Sequence, residues 1–139
     1  MRHTKECSSE FVDVLREVAT NKSWWDTVDG IAPCVGELVR QDPSLAATMD
    51  LWIGDQDMWL RRIAILYQLR YKAATDADRL FSYCELRGHE TEFFIRKAIG
   101  WALREYAKTD PAAVRGFVAC NETILSGLSK REALKNLDG

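Results

Sequence analysis

Apolar residues recur at helical spacing through most of the chain, and the strict alternation of a half-buried strand is nearly absent. Trp59, Ile63, Leu66 and Tyr67 stand at i, i+4, i+7 and i+8. Thirty-five residues later Phe94, Ala98, Trp101 and Ala102 stand at the same offsets. Each set describes one face of a helix. The polar punctuation repeats as well. Asp42-Pro43, Asp76-Ala77 and Asp110-Pro111 each read as an N-cap followed by a first helical residue, 34 residues apart. Ser8 lies a further 34 before Asp42 and caps a first helix on the same reading.

These signals predict helices near 9–20, 24–39, 43–53, 57–73, 77–87, 91–108, 111–120 and 130–137. Ser129 and Glu132 read as a capping box for the last of them. Gly54 and Gly88 are placed to close helices, and Pro33 to kink or split the second. Two helices per 34–35-residue unit is the mark of an all-α repeat solenoid. The fixed Trp, Gly, Tyr and Ala positions of tetratricopeptide units are missing, so the prediction is a HEAT-like helical-repeat solenoid, one domain over 1–139. Such an array is expected to curve, with the second helices of each pair on its concave side.

Composition narrows the function classes. Apolar residues make up 47% and charged residues 29%, ordinary for a soluble domain, and no apolar run approaches a membrane span. The N-terminus has no signal-peptide core. Cys7, Cys34, Cys84 and Cys120 are scattered and only His3 and His89 accompany them, so no metal site is expected and no cofactor is implied. The expected location is the cytoplasm, with reduced thiols. A formal net charge of −2 leaves nucleic-acid binding to local clustering.

Two clusters carry chemistry. The first is Ser23-Trp24-Trp25-Asp26-Thr27-Val28-Asp29. Ser23 and Asp26 read as a capping box, which explains Asp26 locally. Asp29 lies too deep in the helix to cap it and stands one turn beyond Trp25 on the same face. An indole beside a carboxylate suits a flat cationic molecule; the alternative is a core tryptophan next to a solvated aspartate. The second cluster is a repeated basic pair: Arg61 and Arg62, Arg96 and Lys97, Lys130 and Arg131. Stacked repeats would align them in a row able to track phosphates, or leave them as a solvated face. Arg104-Glu105 reads as a surface pair, Asp55 and Asp57 as caps, and His89 as a loop residue.

Four stretches carry a resemblance. They are Lys22-Ser23-Trp24-Trp25-Asp26-Thr27-Val28-Asp29, the run from Trp59 to Leu69, the run from Phe93 to Tyr106, and Leu128-Ser129-Lys130-Arg131-Glu132-Ala133-Leu134. With their spacing they resemble the AlkD-type alkylpurine DNA glycosylases, HEAT-like repeat proteins, from about Lys22 to the C-terminus. Pro33 suits the family pattern. The resemblance implies excision of cationic N3- and N7-alkylated purines from duplex DNA held in the concave groove, without base flipping. It implies Asp29 as the catalytic aspartate, Trp25 and Trp101 as groove-lining tryptophans, and Arg62 as the arginine holding backbone phosphate. Periodicity alone gives Trp101 a core place equivalent to Leu66. Family members carry several helices before the stretch that matches this N-terminus, so weakened catalysis by a shortened enzyme is one expectation. A non-catalytic HEAT-like DNA- or protein-binding module is the alternative, and a remnant of a longer gene is a third. Phe11, Val12, Val14, Leu15 and Val18 exceed what one helix face needs. A homodimer through that face is therefore expected.

Overall fold

The computed structural model describes residues 13–17, 20, 25–135 and 137, with nothing said of the side chains at 25–27. Ser8, Ser23 and the side chain of Asp26 lie outside this set. All regular structure among the described residues is helical, as the periodicity predicts. The chain divides into two compact units, Met1–Tyr67 and Gln68–Gly139. The first holds α1, described over 13–17, then α2 (Trp25–Gln41), a 3-10 turn (Pro43–Leu45), α3 (Ala46–Trp52) and α4 (Met58–Leu66). A second 3-10 turn (Lys72–Ala74), α5 (Ala77–Arg87), α6 (Phe93–Ala107), α7 (Pro111–Cys120) and α8 (Gly127–Leu134) form the other.

The repeat is visible in the caps. The Asp42 carboxylate accepts from the Ser44 N–H, that of Asp76 from the Arg79 N–H, and that of Asp110 from the Ala113 N–H. Each satisfies a donor the following helix leaves open. Within each unit a second helix packs on the next second helix, α2 on α4 and α6 on α8. On α2 the buried stripe is Val28, Ile31, Ala32, Val35 and Val39. On α4 and α6 it comprises Leu60, Ile63, Ala64 and Tyr67, then Ile95, Ala98, Ile99 and Ala102, again 35 residues apart. This stripe lies one position round from the template given by Trp59 and Phe94, both of which are half-buried at its edge. In the second unit Phe81 stacks on Phe117, centroids 4.4 Å apart, and meets Tyr106 edge-on, joining α5, α6 and α7.

Several boundaries differ from expectation, each for a local reason. The fourth helix stops at Leu66 instead of running to 73. Buried Gln68 turns its amide onto the backbone of Asp76, accepting its N–H at 2.6 Å and donating to its carbonyl at 3.3 Å. That pins the connection, which passes through Lys72 at φ 52°. The last helix begins at Gly127, because Ser126 and not Ser129 is its cap; Ser126 Oγ accepts from the Ser129 N–H. Ser129 is buried one turn inside and donates to the Arg96 carbonyl at 2.9 Å, tying α8 to α6. Pro33 does not split α2. Gly88 caps the C-terminus of α5 as expected, but in right-handed conformation (φ −59°), so the turn itself does not require glycine. A Cβ there would lie 2.6 Å from Ile124 Cγ2 and 2.9 Å from the Cys84 carbonyl oxygen.

Candidate functional site

Helix α2 turns its apolar stripe onto α4, and Asp29 rides at the edge of that seam beside fully buried Val28. On α4, Arg62 is itself only 4% exposed. Its Nε donates to Asp29 Oδ1 at 2.8 Å and its Nη2 to Oδ2 at 3.1 Å. The contact is a two-pronged fork, both prongs charge-assisted. Removing a guanidinium from water costs several kcal/mol unless it is paired (roughly, for one ion after relaxation). Here the fork offsets that cost and fixes the plane of the carboxylate. The Asp29 side chain keeps 19% of its surface open. A carboxylate has about four lone-pair sites and the fork takes two, leaving acceptor capacity on the open side. An anion so placed can stabilise positive charge or orient a water molecule.

The other residues singled out by sequence are distributed as follows. Trp25 begins α2, and its side chain lies outside the described residues. Trp101 is half-buried on α6, whereas its periodic counterpart Leu66 is fully buried. The basic pairs share a division of labour. Arg61 Nη1 donates to the Asp55 and Gln56 carbonyls at 2.8 and 2.9 Å. Arg96 Nε donates to the Glu90 carbonyl at 2.9 Å, and Lys130 Nζ to the Glu122 carbonyl at 3.0 Å. The first cation of each pair therefore engages the loop before its own helix. The second members are Arg62, Lys97 and Arg131. Lys97 bonds Glu132 at 3.0 Å, and Arg131 is exposed.

Three contacts escaped the sequence reading. Glu132 bridges Lys97 and Arg104, the latter at 2.8 Å, instead of completing a capping box. The hydrogen bond from Lys97, with the charges of Lys97, Arg104 and Lys135, lowers its carboxyl below the ordinary glutamate value, against a smaller desolvation effect. Arg104 and Glu105 are thus not a pair, because Glu105 holds Lys108 at 2.9 Å. The third is the Asp29–Arg62 fork. A signal for it existed, since opposite charges stand 33 residues apart on successive second helices.

Asp55 accepts the Asp57 N–H and pairs with Arg16, while Asp57 caps α4. His89 is exposed in the turn after α5. Burial pushes the Cys84 thiol far up. Val14 is 56% exposed and Leu15 buried, while Phe11, Val12 and Val18 lie outside the described residues. Among the described residues no helix is long and apolar enough to cross a membrane.

The family model for "DNA alkylation repair enzyme" matches residues 1–137. The chain belongs to that family. A solved structure described as a predicted DNA alkylation repair enzyme from Enterococcus faecalis is similar, with TM-score 0.84 and 36% identity over 93% of this chain. The chain spans 60% of the length of that protein. No curated protein matches. For this member of the DNA alkylation repair family, the match reaches back past Lys22 to residue 1, further than the motifs alone extend.

Proposed function

We propose that this chain is an alkylpurine DNA glycosylase of the AlkD type, with Asp29 as its catalytic carboxylate. One observation carries the reading. In a DNA alkylation repair family member, an aspartate is held by a buried arginine fork and still keeps 19% of its side-chain surface open. A pure DNA-binding face has no use for a fixed anion among phosphates.

Alkylation at N3 or N7 makes the purine cationic and a good leaving group. When its glycosidic bond breaks, the electron pair moves to the purine nitrogen and neutralises the base. Positive charge then develops across C1′ and O4′ of the sugar. Asp29 stabilises that charge and orients the water that bonds to C1′, accepting the proton this water releases. No strong general acid is required. Trp25 and Trp101 are assigned by resemblance to hold the cationic nucleotide through their ring faces. Arg131 and Lys97 are the candidate phosphate contacts, whereas Arg61, Arg96 and Lys130 are engaged by loop carbonyls.

The test is release of 7-methylguanine or 3-methyladenine from methylated duplex DNA by the purified chain. Asp29→Asn is expected to lower release about 10²-fold or more while leaving duplex binding nearly unchanged, since the charge it meets exists only in the transition state. Equal release by both proteins would place the chemistry elsewhere. Tight binding without release would favour a non-catalytic DNA-binding module.

A further inference from the structure

We propose that Glu132 is a positioning residue for recognition of the cationic base: it holds Lys97 and Arg104 away from Trp101, so that they do not compete with the substrate for its indole. The proposal rests on the assignment of Trp101 above and adds to it a carboxylate on α8. Lys97 and Arg104 stand two turns apart on α6 and form one row along it. At 3.6 residues per turn, Gly100 stands about 50° to one side of that row and Trp101 about 50° to the other. Helix α8 approaches on the Gly100 side, with the Glu132 Cβ directly over that glycine. From there one carboxylate takes both cations, Lys97 Nζ on Oε1 at 3.0 Å and Arg104 Nη1 on Oε2 at 2.8 Å. Each charged head is drawn across the row, away from the tryptophan.

The restraint matters because an indole attracts cations without regard to their source. An ammonium or guanidinium within about 6 Å of the ring centroid gains about 0.5–2 kcal/mol on its face. Lys97 precedes Trp101 by four residues and Arg104 follows it by three, the two spacings that make neighbours on a helix. Released from Glu132, either head could settle on the surface a cationic purine needs. Two unpaired cations would also repel that purine, whereas in the bridged triad one negative charge offsets one of the two positive ones. The neutral purines of undamaged DNA are nearly indifferent to both effects. Glu132 therefore acts on discrimination and not on duplex affinity in general.

The experiment uses the full chain as wild type, as Glu132→Gln, and as the triple variant Lys97→Gln/Arg104→Gln/Glu132→Gln, with thermal melting of each. Two duplexes carry the probe base on a 2′-fluorinated sugar, which resists cleavage. One base is cationic 7-methylguanine, the other neutral 7-deaza-7-methylguanine of the same shape. Their affinity ratio reads recognition of the charge, and salt dependence on the neutral duplex reads phosphate contacts. Wild type is expected to prefer the cationic base by about 2–30-fold. Glu132→Gln is expected to fold and to lose most of that preference. It should bind the neutral duplex at least as tightly, with a salt slope steeper by about one phosphate. The triple variant should bind both duplexes more weakly yet regain the preference, because neither cation remains beside the ring.

A purely structural clasp would lower both affinities together in Glu132→Gln and leave their ratio unchanged, which would overturn the proposal. So would a folded triple variant that does not regain the preference, or a Glu132→Gln chain that does not fold. If the triple variant alone fails to fold, Glu132→Gln decides. A wild type blind to the charge would overturn the assignment of Trp101 and this proposal with it. If the ratios come out as expected but wild type releases no 7-methylguanine from an unmodified sugar, the glycosylase reading fails and the positioning role stands.

Discussion

A Cβ added to Gly100 would lie 2.5 Å from the Cβ of Glu132 and 3.3 Å from its Cγ. Gly100 sits in the middle of α6, where glycine costs about 1 kcal/mol against alanine by propensity. The reason for accepting that cost is the close approach of α8, whose Ser129 and Glu132 both bond to α6 groups.

Gly100→Ala therefore sets a propensity gain against a backbone displacement. Overpacking of this kind costs about 1–3 kcal/mol, and α8 cannot retreat without breaking the Ser129–Arg96 bond. The expected outcome is net destabilisation of up to about 2 kcal/mol by urea unfolding. A more stable Gly100→Ala would mean that α8 is free to shift.

Glu132 links the same seam to pH. Its folded carboxyl lies below the ordinary glutamate value, first through the Lys97 hydrogen bond. A group depressed on folding contributes stability that is fully present above the unfolded value, about 4.3, and is lost as pH falls through the folded one. Glu132→Gln should thus cost about 0.5–1 kcal/mol near neutrality, in the range of partly exposed ion pairs. The gap to wild type should close as the pH drops below about 4. A gap independent of pH would show that shape, not charge, is what Glu132 supplies.

The repeat was legible because it is written in local chemistry. Asp42, Asp76 and Asp110 cap at 34-residue intervals whatever surrounds them, and apolar stripes reveal themselves by period. Boundaries set by tertiary contacts were not legible. The early end of α4 depends on Gln68 reaching Asp76, and the start of α8 on which of two serines faces α6. For the site, the same limit holds. Asp29 and Arg62 could each be singled out, but periodicity gives the face of a residue and not the direction of its side chain. Their fork is visible only once α2 lies against α4.

The basic pairs are expected to split into two functional kinds. Arg61 and Arg96 donate to loop carbonyls six residues back, at equivalent places in two repeats. Alanine at either should lower stability by about 1.5–3 kcal/mol, the range for hydrogen bonds to a charged group, with a small effect on the salt slope of DNA binding. Arg131 is exposed, and Arg131→Ala should leave stability within about 0.5 kcal/mol while reducing the slope by about one phosphate. Melting curves and salt titrations on one set of variants separate these effects. The reverse pattern would return Arg61 and Arg96 to the phosphates.

Trp101 offers a test of recognition separate from that of Asp29. It is half-buried where the matching Leu66 is fully buried, at a position the repeat could have filled with an aliphatic residue. An indole face attracts a cation by about 0.5–2 kcal/mol, and a neutral ligand of the same shape gains much less. Trp101→Leu restores the aliphatic residue found one repeat earlier and should preserve the fold. If Trp101 faces the lesion, this variant should bind duplex carrying 7-methylguanine about 2–30-fold more weakly, and undamaged duplex nearly as well as wild type. The fall in release should follow the fall in binding, because a ring that meets the cation in the ground state acts before the bond breaks. An equal loss on both duplexes would make Trp101 a general packing residue. An unchanged preference for the methylated duplex would remove it from the site.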